Sequence, residues 1–487
     1  MPSTFQDRLS QCLPIDLEVT VYELASSPAK CAPLFLPPPP ESPHPTTREA
    51  RFLAIEHDSV LIFAMEVWIY KDSTTGDVTM FVSKVDSSGY FPQKLSSFTP
   101  KTEPATKKSV FRTIASAFLD YVIDGQLEVV PKPCVTLALF ARSQTQYLFS
   151  NSAANSSKHV LSDRALIAWW CQTVNPTFQR YAKSSSAKAY LLVPGSDRLE
   201  VQKLLPKATG DEANWIHGHP FELDQARDIT VREVIPHFTD DPKSRFMEEL
   251  NGEDVEKSAK SAKRTQKWNA ITTVDQFWEL MSYRQECSAG RCVGFLWVTI
   301  PGDEVAENEG EVIPTVVQEG KVDSNDEERS PSQEQQTTPE KTSPRPKLVS
   351  RKRSMSNVNS LLSPRKKSRT FVSILSRRSS DAHDFLIVDD KRYKRAFESL
   401  LLHSDFGNLE KARKSSRKWI DGAHAMAHGP ENDGEETQHW GIKVKGKLEV
   451  GAPASTHSSP TEKALAEDKP QVNMLGAGLI RKKKKPA

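Results

Sequence analysis

Two apolar-rich runs, Arg51 to His57 and Ser59 to Tyr70, flank a polar break at His57-Asp58, and a third, Val78 to Val85, follows Gly76-Asp77. Runs of this length bounded by turn residues predict an antiparallel meander. Val110, Ile114, Phe118 and Val122 then recur at i+4 steps and mark one apolar stripe of a helix over 107–123. Further buried strands are expected at Val135 to Ala141, Ala187 to Val193 and Cys292 to Ile300, with a helix from Asp163 to Tyr181. Thr273 and Gln276 have capping-box spacing ahead of Val274, Phe277, Trp278 and Met281, so a helix begins there. After a long polar interval the pattern resumes at Asp384 to Val388 and continues through two helical stretches, Lys391 to His403 and Leu409 to Ile420. The first 30 or so residues read as a short amphipathic entry, and the Pro37 to Pro40 run that follows must be extended and solvent-facing.

This pattern predicts one large α/β domain split by an insert: residues 1–300, then 384–422, with 301–383 a disordered segment and 423–487 a disordered tail. Composition supports the division. The chain has 487 residues, 33 prolines, 37% hydrophobic residues and a mean hydropathy of −0.53, so much of it is expected not to pack. The net charge of +2 conceals an asymmetry: 301–340 is rich in Asp and Glu, whereas 341–370 carries ten Lys and Arg and no acid. Such a stretch cannot bury enough apolar surface to offset its ordering entropy. Six cysteines without a CxxC pair fit a reduced intracellular thiol set and no metal site. No basic start with an apolar core opens the chain, and no run of about 18 apolar residues occurs, so neither secretion nor a membrane span is expected. The clusters Arg351-Lys352-Arg353, Arg365-Lys366-Lys367 and Arg481 to Lys485 read as nuclear-import signals, with nucleic-acid contact only through these basic tails.

Common catalytic signatures are absent: no Walker A loop, no HExxH, no GxSxG, and only Arg291-x-x-Gly294 of an acetyltransferase pyrophosphate loop. Three stretches carry candidate chemistry. Thr239-Asp240-Asp241-Pro242-Lys243 reads first as a helix start, Asp at the N-cap and Pro at N1. The same carboxylates are placed to orient a lysine ammonium, although a helix N-terminus favours the charged carboxylate and weakens it as a base. Phe81 to Tyr90 reads as a strand entering a turn, with Asp86 either serving the backbone or facing a cofactor near Lys84 and Lys94. Between Arg142 and Trp170, the aromatic residues Tyr147, Phe149, Trp169 and Trp170 surround a Ser/Asn-rich loop that carries His159. Neighbouring tryptophans on a helix lie about 100° apart, so one is expected in the core and the other on a lysine-accepting channel.

Taken together, Phe81-VSKVDSSGY-90, Leu139-FARSQTQYLFSNSAANSSKHVLSDRALIAWW-170, Val193-Pro-Gly195 and Phe238-TDDPKSRF-246 resemble the fungal histone acetyltransferases of the Regulator of Ty Transposition family. The resemblance covers roughly residues 1–300 and 384–422 and implies an α/β (α+β) fold: a central, mostly antiparallel sheet surrounded by helices, of the CREB-binding-protein acetyltransferase type. It implies acetyl-CoA as co-substrate and histone H3, with H4, presented by histone chaperones. The implied acceptors are a core-domain lysine of new histone and tail lysines, in a nuclear role in chromatin assembly and genome stability. It places Asp241, Asp240, Asp86, Tyr147 and Trp170 at active-site positions. Val85, Lys94, Leu95, Ser96, Phe140, His159 and Trp169 fall near the coenzyme, and Lys243 at an autoacetylated position. The chain departs from the family pattern at Val85, where a smaller alanine is usual, after Tyr90, and over Asp124 to Pro131, where a long loop is shortened. The competing expectation is a histone-binding chromatin scaffold with an inactive site.

Overall fold

The computed structural model describes residues 4–35, 46–103, 106–208, 210–223, 230–239, 241–251, 271–284, 291–303, 385–428 and 440–451. The Pro37–Pro40 run, Asp240, Cys287, the acidic-then-basic insert from residue 304 onward and the three basic clusters lie outside the described residues. The described parts of Met1–Gly302 and Asp384–Ala487 form one unit.

Its frame is an 11-stranded sheet. The strands are β1 (Glu18–Ser26), β2 (Ala29–Cys31), β3 (Thr46–His57), β4 (Val60–Asp72), β5 (Val78–Ser87), β8 (Val135–Ala141), β9 (Lys188–Leu192), β10 (Ile216–His217), β11 (Gly294–Ile300), β12 (Leu386–Val388) and β13 (Ile442–Lys445). The order is β10-β9-β11-β8-β5-β4-β3-β1-β12, with β13 paired to β1 and β2 to β3. β6 (Ser97–Phe98) and β7 (Lys108–Ser109) form a separate antiparallel pair. Among the described residues only the strand pairs β1/β12, β9/β10 and β5/β8 are parallel, so the sheet is mostly antiparallel as expected.

The meander β3-β4-β5 forms where predicted. Its first turn sits one residue later than the sequence break, at Asp58 and Ser59, whose φ values of 51° and 65° match the two-residue hairpin turn that suits the strand twist. The strands read as continuous apolar runs because both faces are covered. In β3, Leu53 and Ile55 pack into one cluster while Phe52 and Ala54 pack into another.

On the first face lie α1 (Phe5–Cys12), α2 (Val110–Leu127) and α3 (Asp163–Ser185). The predicted α2 stripe is buried there at all four positions. The opposite face is covered at one end by α8 (Asp390–His403) and α9 (Leu409–His428), through Tyr393, Leu400 and Trp419. At its other end sit α5 (Val231–Val234), α6 (Pro242–Asn251) and α7 (Val274–Ser282); α6 contributes Phe246, α7 Phe277 and Trp278, and the segment between α5 and α6 Phe238. The short α4 (Arg198–Gln202) follows β9. α7 carries the predicted capping box between Thr273 and Gln276.

The expectation of a tail from residue 423 needs correction. α9 runs on to His428, and residues 440–451 belong to the sheet. β13 pairs with β1 from Glu18↔Lys445 to Val21↔Ile442, Leu448 bridges to Pro14, and Val450 to Pro100. Trp440 packs edge-on against Tyr22 and donates its indole N–H to the Ile420 carbonyl. The physical reason is edge satisfaction: β1 has donors and acceptors that this short segment completes.

Candidate active site

β5 and β8 run parallel and paired from Val78↔Val135 to Val82↔Leu139, and there the ladder ends although β5 continues to Ser87 and β8 to Ala141. The cause is local. The β4/β5 register shifts between Glu66↔Lys84 and Val67↔Val82, which leaves Ser83 as the extra residue of a bulge. A bulge bends its strand and increases its twist, so β5 leaves β8 and a fork opens. The fork holds a cavity of about 690 Å³. Val85, Phe91, Phe111, Trp169 and Trp170 line it from the face of α2 and α3, and Lys84, Asp86, Phe140 and Tyr147 from the other.

Asp86 is enclosed by donors. Its Oδ2 accepts the backbone N–H groups of Tyr147, Leu148 and Phe149 at 2.8, 3.0 and 3.3 Å. Its Oδ1 accepts the Ser87 N–H and the Lys158 ammonium, each at 2.8 Å. Lys158 also donates to Ser152 Oγ at 2.8 Å, and the Lys158 and Asp86 side chains are only 4% and 7% exposed. Gly89 lets the segments meet: its φ is +83°, and a Cβ there would lie 2.6 Å from that of Lys158. The carboxylate thus ties the end of β5 to the 147–158 loop. Of the two readings open in the sequence, service to the backbone is seen directly, and Asp86 also lines the cavity where the second reading would have it face a cofactor.

Tyr147 donates its hydroxyl to the Arg142 carbonyl at 2.5 Å, and burial pushes its pKa up to about 12. Trp169 and Trp170 meet edge to face, centroids 4.8 Å apart. Trp170 is buried in the core and Trp169 packs beside it, yet both border the cavity. The 100° separation did not divide them because two indoles are wide enough to flank one opening from adjacent helix positions.

Val85, Ser96, Phe140 and His159 line the cavity with them. Lys94 and Leu95, in the 3-10 turn Gln93–Leu95, are exposed and do not. Their neighbours Gln93 and Ser97 do, as do Lys107, Ser109 and Arg142. Sequence reasoning missed Lys107 and Ser109, because only the β6/β7 pairing brings 107–109 beside 96–98.

Asp241 and Lys243 lie apart from this lining. Asp241 precedes Pro242 at the start of α6 and accepts the Lys243 N–H at 3.0 Å, the capping role expected. Its other oxygen accepts the Lys243 ammonium. Both side chains are buried, and burial pulls the Lys243 pKa down against the opposing pull of Asp241. The ammonium stands 4.3 Å from the Phe238 ring centroid; Phe238 stacks on Phe81 at 4.3 Å, and Phe81 on Phe140 at 6.2 Å. A row of rings therefore separates the pair from the cavity.

The sequence profile of the histone acetyltransferase KAT11-type domain matches residues 5–129 and 125–422. The chain belongs to the KAT11-type histone acetyltransferases. Over 98% of its length it is 32% identical to histone acetyltransferase rtt109 of Aspergillus flavus, covering 88% of that protein. It is 31% identical to histone acetyltransferase rtt109 of Schizosaccharomyces pombe, over 57% of this chain and 66% of that one. The crystal structure of Rtt109 from Aspergillus fumigatus superposes with a TM-score of 0.64 at 28% identity, covering 92% of this chain and all of that one.

For a KAT11-type acetyltransferase this geometry limits the choice of base. Asp86 has both oxygens committed to five donors, and Tyr147, with its raised pKa, keeps its proton at neutral pH. Both residues line the cavity, and Asp86 holds the 147–149 loop.

Proposed function

We propose that this enzyme transfers acetyl from acetyl-CoA to lysines of histone H3, in H3 with H4 delivered by histone chaperones, during nuclear chromatin assembly. The observation that carries the reading is the fork, a cavity lined from both faces of the sheet where two parallel strands part. An extended thioester arm fits between strands that expose unpaired ladder edges, and an aliphatic amine can approach from the opposite face. Val85, Ser96, Phe140, His159 and Trp169 are the coenzyme-side residues, with Lys107 and Arg142 the cations within reach of its phosphates. Tyr147 and Trp170 wall the lysine channel, and Asp86 holds the Tyr147 loop in place. Lys94 and Leu95 neighbour the site, Asp241 acts from beyond the row of rings, and Asp240, which lies outside the described residues, is assigned to the site on the family resemblance alone.

The amine nitrogen attacks the thioester carbonyl; the C–N bond forms, the C–S bond breaks, and the electron pair leaves on sulfur. A lysine with an ordinary pKa of about 10.4 is neutral about once in a thousand near pH 7.4, a handicap of about 4 kcal/mol. Desolvation against Tyr147 and Trp170 reduces it, and alignment supplies much of the rest. Lys243, whose pKa is drawn down by burial, is the residue of this chain we propose to become acetylated.

The test is mass spectrometry after incubation with isotopically labelled acetyl-CoA, with and without chaperone-bound H3–H4. Label on H3, and at Lys243 when histone is omitted, is expected. Undiminished histone binding with no label on either chain overturns the proposal in favour of a scaffold.

A further inference from the structure

Ser83, the bulged residue, stands one position beyond the last β5/β8 pair, at the apex of the fork, and lines the cavity. Its hydroxyl donates to Glu66 Oε2 on β4. Glu66 is 2% exposed, and its other oxygen accepts the Tyr393 hydroxyl of α8 at 2.8 Å. This carboxylate borders the reaction space through a single hydroxyl and has no part in the loop clamp made by Asp86.

We propose that Ser83 and Glu66 form the proton relay of the acetyl transfer. The inference rests on the cavity being the acetyl-donor site. As the amine nitrogen bonds to the thioester carbon, its proton passes to Ser83 Oγ while the Ser83 hydroxyl proton passes to Glu66. The C–S bond breaks with its electron pair on sulfur, and the proton on Glu66 then returns through Ser83 to the departing thiolate. The bulge serves this chemistry by turning Ser83 toward Glu66 at the point where the strands part.

Burial raises the Glu66 pKa and so makes it a stronger base than an ordinary carboxylate, while the Ser83 hydrogen bond, the Lys84 charge and hydrogen bonds from Tyr393 and Trp68 hold it back. The ionisable groups facing it are Lys84 of β5, Tyr70 of β4 and Tyr393 of α8, with Arg48 of β3 stacked over Trp68.

The experiment measures steady-state kcat and KM against pH for the full chain with labelled acetyl-CoA and chaperone-bound H3–H4. Ser83→Ala is expected to lower kcat at least tenfold with both KM values within twofold, and Ser83→Thr to retain at least half of wild-type kcat. Glu66→Gln is expected to lower kcat comparably and to remove the acid limb that Glu66 imposes. Tyr393→Phe, which removes a bond favouring the charged carboxylate, is expected to shift that limb to higher pH. Thermal melting monitors folding; if Glu66→Gln does not fold, the Ser83 pair decides. A Ser83→Ala enzyme with kcat within twofold of wild type and an unchanged pH profile overturns the relay, as does a Glu66→Gln enzyme that loses stability but keeps the limb. Wild-type protein that labels no histone overturns the underlying acetyl-donor reading, which separates that failure from failure of the relay.

Discussion

Asp86 carries a charge that its neighbours presuppose. Asp86→Asn replaces one acceptor oxygen by a donor among backbone N–H groups and leaves Lys158 buried without its counter-ion. Breaking a buried pair in this way costs about 3–5 kcal/mol. We expect a loss of that order in urea denaturation, together with at least a tenfold fall in kcat/KM as the Tyr147 loop loosens. Asp86→Asn combined with Lys158→Met is expected to regain part of the stability, because it removes the stranded charge, but not the activity. At Lys243 the sign is set by the depressed folded pKa. Below the ordinary lysine value of 10.5, the unfolded chain holds the proton more firmly than the folded one, so stability rises with pH across that window. Lys243→Met should flatten the slope of urea midpoint against pH on the alkaline side, below the ordinary lysine value of 10.5. Residues of this kind were only partly legible. The capping role of Asp241 followed from Asp-Pro, but nothing local told that Lys243 would fold back onto Asp241 over Phe238. Asp86 was visible as a turn residue and, through the family resemblance, as a site residue. Its three loop amides come from 61–63 positions away, a distance at which no periodicity reports.

At the scale of elements, local signals served best where the chain determines its own geometry. Thr273 caps α7 as its spacing predicts, and Thr273→Ala should cost about 1 kcal/mol in denaturant unfolding with kcat/KM within twofold, since α7 supports the ring cluster behind Phe140 and not the cavity itself. The α2 stripe and the meander were legible for the same reason: an apolar period of 3.6, or an apolar run between turn residues, needs no distant partner to be recognised. The fork did not announce itself. Its existence depends on the register of β5 against β8, whose paired residues lie 57 positions apart in sequence, and on a bulge at Ser83 with no glycine to mark it. The wall made by Lys107 and Ser109 was missed likewise, because a two-residue strand has no periodicity to detect.

For the whole molecule, the least expected finding is that residues 440–451 return to the sheet. Short, lysine-rich and glycine-containing, IKVKGKLEV alternates apolar and polar residues over too few positions to predict a strand by itself, and its pairing with β1 is what fixes it. Val450 bridges Pro100, and Gly451 and Glu449 exchange backbone hydrogen bonds with Thr99 and Lys101, beside the 96–109 segment that lines the cavity. Truncation after residue 428 is therefore expected to lower the melting temperature by several degrees and to raise KM for acetyl-CoA several-fold, with a smaller change in kcat.

The parting of β5 from β8 also bears on how the free enzyme behaves in solution. Among the described residues, two strand ends in the middle of the sheet have no paired strand on one side, which leaves a gap there. Under the proposed reading, a donor molecule bound there would act as a removable strand and its affinity would become part of the folding equilibrium: at a hundredfold excess over Kd it would add about 2.7 kcal/mol. Amide hydrogens over 83–87 and 139–141 should then exchange with deuterium more slowly in the loaded enzyme than in the free one, while those of β3 and β4 change little. The supply of acetyl donor would thus set the persistence of the enzyme as well as its rate.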